Sequence, residues 1–185
     1  MPFFPAFIDI FRKEILVVGG GEVATRKVEK LLPFGGRITV VAPKVTKRIK
    51  ELWKDGKINL RRRKFLVGDL RNKEMVIVAV NDLRLQEKIF RLCERKGILC
   101  NSVDSPEFCS FIFPAMVVRG DLVIGINTSG KAPALSRRLR ELIESCLPDD
   151  IDSILKTVEN RRRKLPKGKA RQEAMINLSK RLIPL

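Results

Sequence analysis

The chain has 185 residues, 44% of them hydrophobic, and carries a net charge of +17 at pH 7. That is enough apolar material for one good core and a small second unit, while no apolar run reaches the ~20 residues that span a bilayer. There is no histidine, so acid–base chemistry falls to carboxylate, lysine, cysteine or water.

The start, MPFFPAFIDIFRKE, has no basic stretch ahead of its apolar part, so no signal peptide is expected. Its Phe3, Phe4, Phe7, Ile8 and Ile10 form an apolar lead-in expected to pack against a sheet edge. Ile15 to Val18 then read as a strand buried on both faces, the kind found in parallel sheets. Gly19, Gly20 and Gly21 make a turn, after which Val23, Ala24, Lys27, Val28, Leu31 and Leu32 recur at helical spacing. Gly19-x-Gly21-x-x-Ala24 fits the dinucleotide fingerprint in its Gly/Ala form, with the strand before and the helix after that it requires. In that fingerprint the first glycine permits the tight turn. The second admits a pyrophosphate to the backbone, and the helix N-terminus offers it N–H groups and a positive dipole end.

Pro33 to Gly36 stop this helix, and Ile38 to Val41 form a second strand, completing a βαβ unit. The fingerprint expects an acidic residue at this strand's end, but the chain reads Val41-Ala42-Pro43-Lys44. A lysine there suits the phosphate of NADP, and backbone groups could equally hold an NAD ribose. Val45 to Trp53 is predicted as a helix with Val45, Ile49, Leu52 and Trp53 on one face, followed by a short strand over 58–60. The run Arg61-Arg62-Arg63-Lys64 reads as a solvated edge. Met75 to Val80 is another buried strand, and a helix follows from Leu83 to about Lys96. Ligands of doubly wound sheets sit beyond the C-terminal strand ends, which places Val80, Asn81 and Asp82 near the cofactor. Asp82 reads best as a helix N-cap.

Ile98 to Asn101 is the next strand, and it brings Asp104 to the mouth of the cleft, although Asp-Ser-Pro is also ordinary turn chemistry. Residues 115–118 and 122–126 flank Arg119-Gly120-Asp121 as a hairpin. Pro133 begins a helix to about Cys146, and two more helices follow, starting at Asp149-Asp150 and after Gly168. A hairpin plus one helix is too little to bury a core alone. The four cysteines show neither CxxC pairing nor metal-ligand spacing, so reduced, mostly buried thiols, no metal site and a cytoplasmic location are expected. The positive charge suits either a solvated surface or a polyanionic partner. The aromatic interleaving of single-strand binders is missing, which disfavours nucleic acid.

Read together, FFPAFIDI, ILVVGGGEVATRKVEKLL, ITVVAP and NSVDSPEFCSFIFPAMVVRGDLVIGINTSGKAPALSRRLRELIE resemble the precorrin-2 dehydrogenase family, the N-terminal module of sirohaem synthase. The resemblance covers residues 2 to about 147 and is strongest over 15–32 and 101–142, and the last forty residues match no motif of it. It implies NAD-dependent oxidation of precorrin-2, a tetrapyrrole with eight carboxylates, to sirohydrochlorin. Some members of the family also insert Fe2+. It implies that Asp104 is the catalytic carboxylate, partly buried with a pKa raised by desolvation. Gly19, Gly20, Gly21, Glu22 and Val23 match the phosphate turn, and Pro43 and Lys44 match the adenosine-side loop. Thr128 falls where some members carry a serine in the substrate cleft, with an exposed loop hydroxyl as the plainer reading. Lys131, Arg137, Arg138 and Arg140 are placed nearest the substrate carboxylates, unless Glu141 and Glu144 take the arginines as salt bridges.

The resemblance also implies a homodimer built through 114–147. The expected architecture is α/β. A Rossmann-like parallel sheet over 1–113 is followed by a dimerisation hairpin and helix over 114–147, then a helical segment over 148–185. No methyltransferase module follows, so the chain is not expected to make precorrin-2 itself. The competing reading is a non-catalytic NAD(H)-sensing module whose basic segment, Arg161 to Lys164, contacts nucleic acid or an acidic partner.

Overall fold

Runs of β-branched and aliphatic residues set the first sheet. Its strands are β1 (Glu14–Val18), β2 (Arg37–Val41), β3 (Asn59–Arg61), β4 (Met75–Val78) and β5 (Leu99–Ser102). In the computed structural model, which describes residues 3–184, all neighbours pair in parallel in the order β3-β2-β1-β4-β5. The chain builds outward from β1 to β3 and returns to β4 on the other side. The strand order therefore reverses between β1 and β4, the place where such sheets bind ligands.

Period-two alternation splits each central strand between two faces. Ile15 and Val17 join Ala24, Val28, Ile49 and Ile77 on one side. Leu16 and Val18 join Val76, Val78, Ile89 and Cys93 on the other. The helices are α1 (Glu22–Leu31), α2 (Lys47–Lys54) and α3 (Leu83–Arg95). Ile15, Leu16 and Val17 are fully buried, each contributing ~1.5–3 kcal/mol of hydrophobic stabilisation.

Several expectations are corrected here. The lead-in does not pack on a sheet edge: Phe4, Phe7, Ile8 and Phe11 are exposed, and of this stretch only Ile10 enters the core. The reason is topological, because the segment runs into β1, the central strand, and so never meets an edge. Pro2, the start of that lead-in, lies outside the described residues. Helix α2 starts later than expected because Thr46 caps it, its Oγ1 accepting from the Ile49 N–H at 3.2 Å. Trp53 is half exposed rather than part of the packed face. Strand β4 stops at Val78, short of the expected Val80.

The basic run is not simply a solvated edge. Arg61 and Arg63 both grip Asp69 at 2.6 Å, Arg63 with both guanidinium arms, and the Leu66 N–H donates to the same carboxylate. Asp69 is buried. Its hydrogen bonds from Arg63, followed by those from Leu66 and Arg61, hold its pKa far below the usual carboxylate range against the opposing cost of burial.

Residues from Pro114 onward form a second compact unit. It contains the antiparallel hairpin β6 (Ala115–Arg119) and β7 (Leu122–Ile126), then α4 (Pro133–Cys146), α5 (Ile151–Lys164) and α6 (Lys169–Leu182). Its buried positions are sparse, with Val117 in the hairpin, Ser136 in α4 and Ile151 in α5. All four cysteines are free thiols. Among the described residues no helix is long and apolar enough to cross a membrane.

The turn after β1 leaves no room at two of its three glycines. Gly19 has a φ of +119°, and a Cβ there would lie 2.1 Å from the Ala79 carbonyl oxygen. A Cβ on Gly20 would lie 2.4 Å from the Lys44 carbonyl oxygen. At Gly21 a Cβ meets nothing within 4 Å. Gly19→Ala is therefore expected to lower stability by about 1–3 kcal/mol or more, whereas Gly21→Ala leaves the melting temperature nearly unchanged. Thermal melts of the two variants check this.

Candidate active site

The site residues expected in the first unit follow the C-terminal ends of β1, β2, β4 and β5. The glycine turn is tied down on both sides. The Gly19 N–H donates to the Val41 carbonyl at 3.0 Å, and the Gly20 carbonyl accepts from the Thr46 N–H at 2.9 Å. The Thr25 hydroxyl donates to the Gly21 carbonyl at 3.0 Å and shares a 2.8 Å hydrogen bond with the Thr46 hydroxyl. These bonds fix where α1 begins. Gly21 is its N-cap and supplies no side-chain cap, so the first-turn amides of Glu22, Val23 and Ala24 depend on an outside acceptor. A ten-residue helix with a bare N-terminus, facing open space at Gly21, fits a pyrophosphate.

Glu22 and Val23 are exposed at this turn, and Pro43 and Lys44 are exposed just beyond β2. The Lys44 carbonyl lies against Gly20. Past β4, Asn81 is exposed, and Asp82 caps α3 by accepting from the Leu85 N–H at 3.1 Å, as its N-cap reading expects. Gln86 is buried; its amide donates to the Val80 carbonyl at 2.7 Å and its Oε1 has no partner.

After β5 the chain hooks back on itself. The Cys109 thiol lies within 3.3 Å of the Ser102 N–H and of the Ser102 and Ser105 carbonyls. The Asn101 amide donates to the Phe111 carbonyl at 3.0 Å. Burial is the main cause that pushes the Cys109 thiol pKa up, so it is a packed thiol rather than a nucleophile. The hook presents Asp104 at φ +63°. Here an expectation is corrected, because Asp104 is exposed rather than partly buried. The left-handed turn lifts its carboxylate out of the packed loop.

One residue was missed as a site group. Lys27 sits on the inward stripe of α1 among Ala24, Val28 and Leu31, and that placement was its signal in the sequence. It is half-buried, with Nζ 4.1 Å from the Phe113 ring centroid. Desolvation, with help from Lys30, lowers its pKa to about 8 against the favourable charges of Cys109 and Asp104.

The remaining candidates lie on the second unit. Thr128 is not a free loop hydroxyl. It shares a 3.0 Å hydrogen bond with Ser136 and accepts from the Ala132 N–H at 3.2 Å, stapling the loop to the start of α4. Arg137 and Arg138 both pair with Glu141, at 3.2 and 3.5 Å, and Arg140 pairs with Glu144, so the salt-bridge reading of these arginines holds. Lys131 is exposed and makes no ion pair among the described residues.

With this geometry in place, known proteins are informative. Residues 6–115 match the family model described as putative NAD(P)-binding, and residues 119–145 match the sirohaem biosynthesis protein central model. The chain belongs to the putative NAD(P)-binding family, joined to a sirohaem-biosynthesis central segment. Siroheme synthase 2 of Yersinia pestis (strain Pestoides F) is 42% identical over 148 residues, 80% of this chain and 31% of that protein. The siroheme synthase of Buchnera aphidicola is 38% identical over 156 residues, 84% of this chain and 33% of its own. The chain thus spans about a third of the length of these curated relatives. The solved structure of SirC, a precorrin-2 dehydrogenase, superposes with a TM-score of 0.75 at 28% identity, covering 95% of this chain and 89% of that one. The Rossmann-like fold and the family resemblance are borne out, and the first unit is an NAD(P)-binding domain.

If the turn holds a pyrophosphate, Gly21→Asp places a carboxylate where the anion sits. Aspartate is itself a good N-cap, so the melting temperature should hold or rise while NAD affinity falls by about tenfold or more. Calorimetric titration with NAD beside a thermal melt separates these effects.

Proposed function

We propose that this chain is the NAD-dependent dehydrogenase that converts precorrin-2 to sirohydrochlorin. The observation that carries this reading is the likeness to SirC, a precorrin-2 dehydrogenase, which runs through 95% of the chain rather than the nucleotide-binding unit alone. The siroheme synthase relatives support the same pathway. A substrate with eight carboxylates gives the net charge of +17 a function, since a strongly positive surface steers a polyanion toward the protein.

Bound NAD supplies the hydride acceptor. The first-turn amides of Glu22, Val23 and Ala24, past the open Gly21, would hold its pyrophosphate at the α1 N-terminus. Gly19 and Gly20 shape the turn, Pro43 and Lys44 would flank the adenosine side, and Asn81 would line the cleft beyond β4. No carboxylate follows β2, so the ribose is left to backbone groups. Oxidation of the substrate releases a proton together with the hydride, and Asp104, the exposed carboxylate beyond β5, would accept it. Insertion of ferrous iron, in which the metal is a substrate, would release two pyrrole protons, which the same carboxylate would take one at a time, passing the first to solvent before accepting the second. Arg137, Arg138 and Lys131, with Thr128 fixing the loop beside them, are proposed to meet substrate carboxylates. The arginine–glutamate pairs on α4 are largely exposed, where ion pairs are weak, so a carboxylate ligand would displace them at little cost.

The second unit leaves Val118, Leu135 and Leu142 exposed. This supports a homodimer through 114–147, and the free thiols suit a cytoplasmic location.

Asp104→Asn should bind NAD as the unsubstituted protein does and lose ~100-fold or more in NADH production from precorrin-2. Anaerobic absorbance, following NADH and sirohydrochlorin together, measures this, and unchanged turnover removes Asp104 from the mechanism. Ferrous iron added afterwards gives a further spectral change beyond the enzyme-free control if the chain is also a chelatase. Failure of the unsubstituted protein to form NADH would return the non-catalytic reading. At micromolar concentration the protein should elute as a dimer, and Leu135→Glu with Leu142→Glu should shift it to monomer. Size-exclusion chromatography with light scattering reads the state.

A further inference from the structure

A lysine ammonium is expensive to desolvate, and the cost is offset only by a counter-charge or by full hydrogen bonding. Lys27 has neither. Among the described residues it makes no ion pair within 4.0 Å and no hydrogen bond. Its contact is the face of Phe113, 4.1 Å from Nζ to the ring centroid, a cation–π interaction that neutralises nothing. The charged groups acting on it are known from both sides. Lys30 and Arg26 on its own helix oppose its charge, and Asp104 and Cys109 from the hook after β5 favour it. Desolvation outweighs them all and brings the amine to about 8 from its ordinary 10.5.

A folded-state lysine pKa below its unfolded value means the folded chain binds fewer protons between about pH 8 and 10.5. The group therefore destabilises the fold below pH 8, and that penalty is relieved as pH rises through the window. The same amine stands over the Phe113 ring and within electrostatic reach of Asp104, an arrangement suited to an anion that arrives from outside.

We propose that Lys27 is a substrate-binding residue: its unpaired ammonium, held against Phe113 near Asp104, receives a carboxylate of the tetrapyrrole. The inference rests on the dehydrogenase reading above. Lys27 lies six residues beyond Gly21 on the same helix, which places it deeper along α1 than the pyrophosphate amides. A carboxylate seated there makes a charge-assisted hydrogen bond that offsets the desolvation of the amine. It also brings the substrate to the side of the cleft where Asp104 stands.

The test uses the full chain and a stable octacarboxylate porphyrin, with binding read by fluorescence and NAD binding read separately by calorimetry. Lys27→Met is expected to bind the porphyrin ~10-fold more weakly at pH 7 with NAD affinity unchanged. Lys27→Arg is expected to restore most of the affinity. The advantage of the unsubstituted protein over Lys27→Met should shrink above about pH 8, while that of Lys27→Arg persists, a pH signature that a packing role would not produce. Should methionine prevent folding, Lys27→Gln serves in its place. Equal porphyrin affinity in Lys27→Met overturns the proposal, as does a loss of NAD affinity instead. An unsubstituted protein that neither binds the porphyrin nor oxidises precorrin-2 overturns the dehydrogenase reading itself.

Discussion

The closest constraint in this protein is a matter of a few ångströms at the end of its central strand. The backbone after β1 passes so near Ala79 and Lys44 that Gly19 and Gly20 cannot carry a Cβ. That squeeze draws the ends of β1, β2 and β4 together, and the hydrogen bonds from Gly19 to Val41 and from Thr46 to Gly20 lock it. Because the turn is rigid, α1 begins at a fixed place with its amides facing open space. The dinucleotide fingerprint is usually read as three glycines serving the cofactor. Here the first two serve the fold, and only Gly21 is left free for a ligand.

The same helix carries the site inward. At its N-terminus the backbone presents positive partial charge, and six residues on Lys27 presents a formal one. Opposite stands the hook after β5, in which Cys109 and Asn101 tie the loop to the strand while the left-handed Asp104 is turned outward. The exposure of Asp104 bears on its role. In the proposed reaction, a carboxylate at the surface of the loop, in contact with solvent, would be able to pass on a proton.

Electrostatics divide into two kinds. Asp69 shows charge that holds structure: a buried carboxylate matched by two arginines and a backbone amide, with nothing left for a ligand. Lys27 is the reverse, a charge over the Phe113 ring with no ion pair among the described residues. On the second unit, the α4 arginines are paired with Glu141 and Glu144 at the surface, where pairing is weak and exchangeable.

Much was legible in the residues alone. Short aliphatic runs separated by glycine and proline signals identify the parallel strands and their helices, and Gly-x-Gly-x-x-Ala between a strand and a helix identifies the cofactor turn. These patterns are local, and local backbone preferences and hydrophobic periodicity govern them. What the residues alone could not decide are pairings across the chain. Arg61 and Arg63 read as a solvated run because Asp69 meets them only once β3 and the following turn have folded. The aromatic lead-in read as packed on a sheet edge because its hydrophobicity is local, while its route into the central strand is topological. Lys27 lay on the apolar stripe in plain view. That it meets the Phe113 ring and no counter-ion among the described residues appears only in the folded chain, because desolvation belongs to the assembled fold and not to any stretch of sequence.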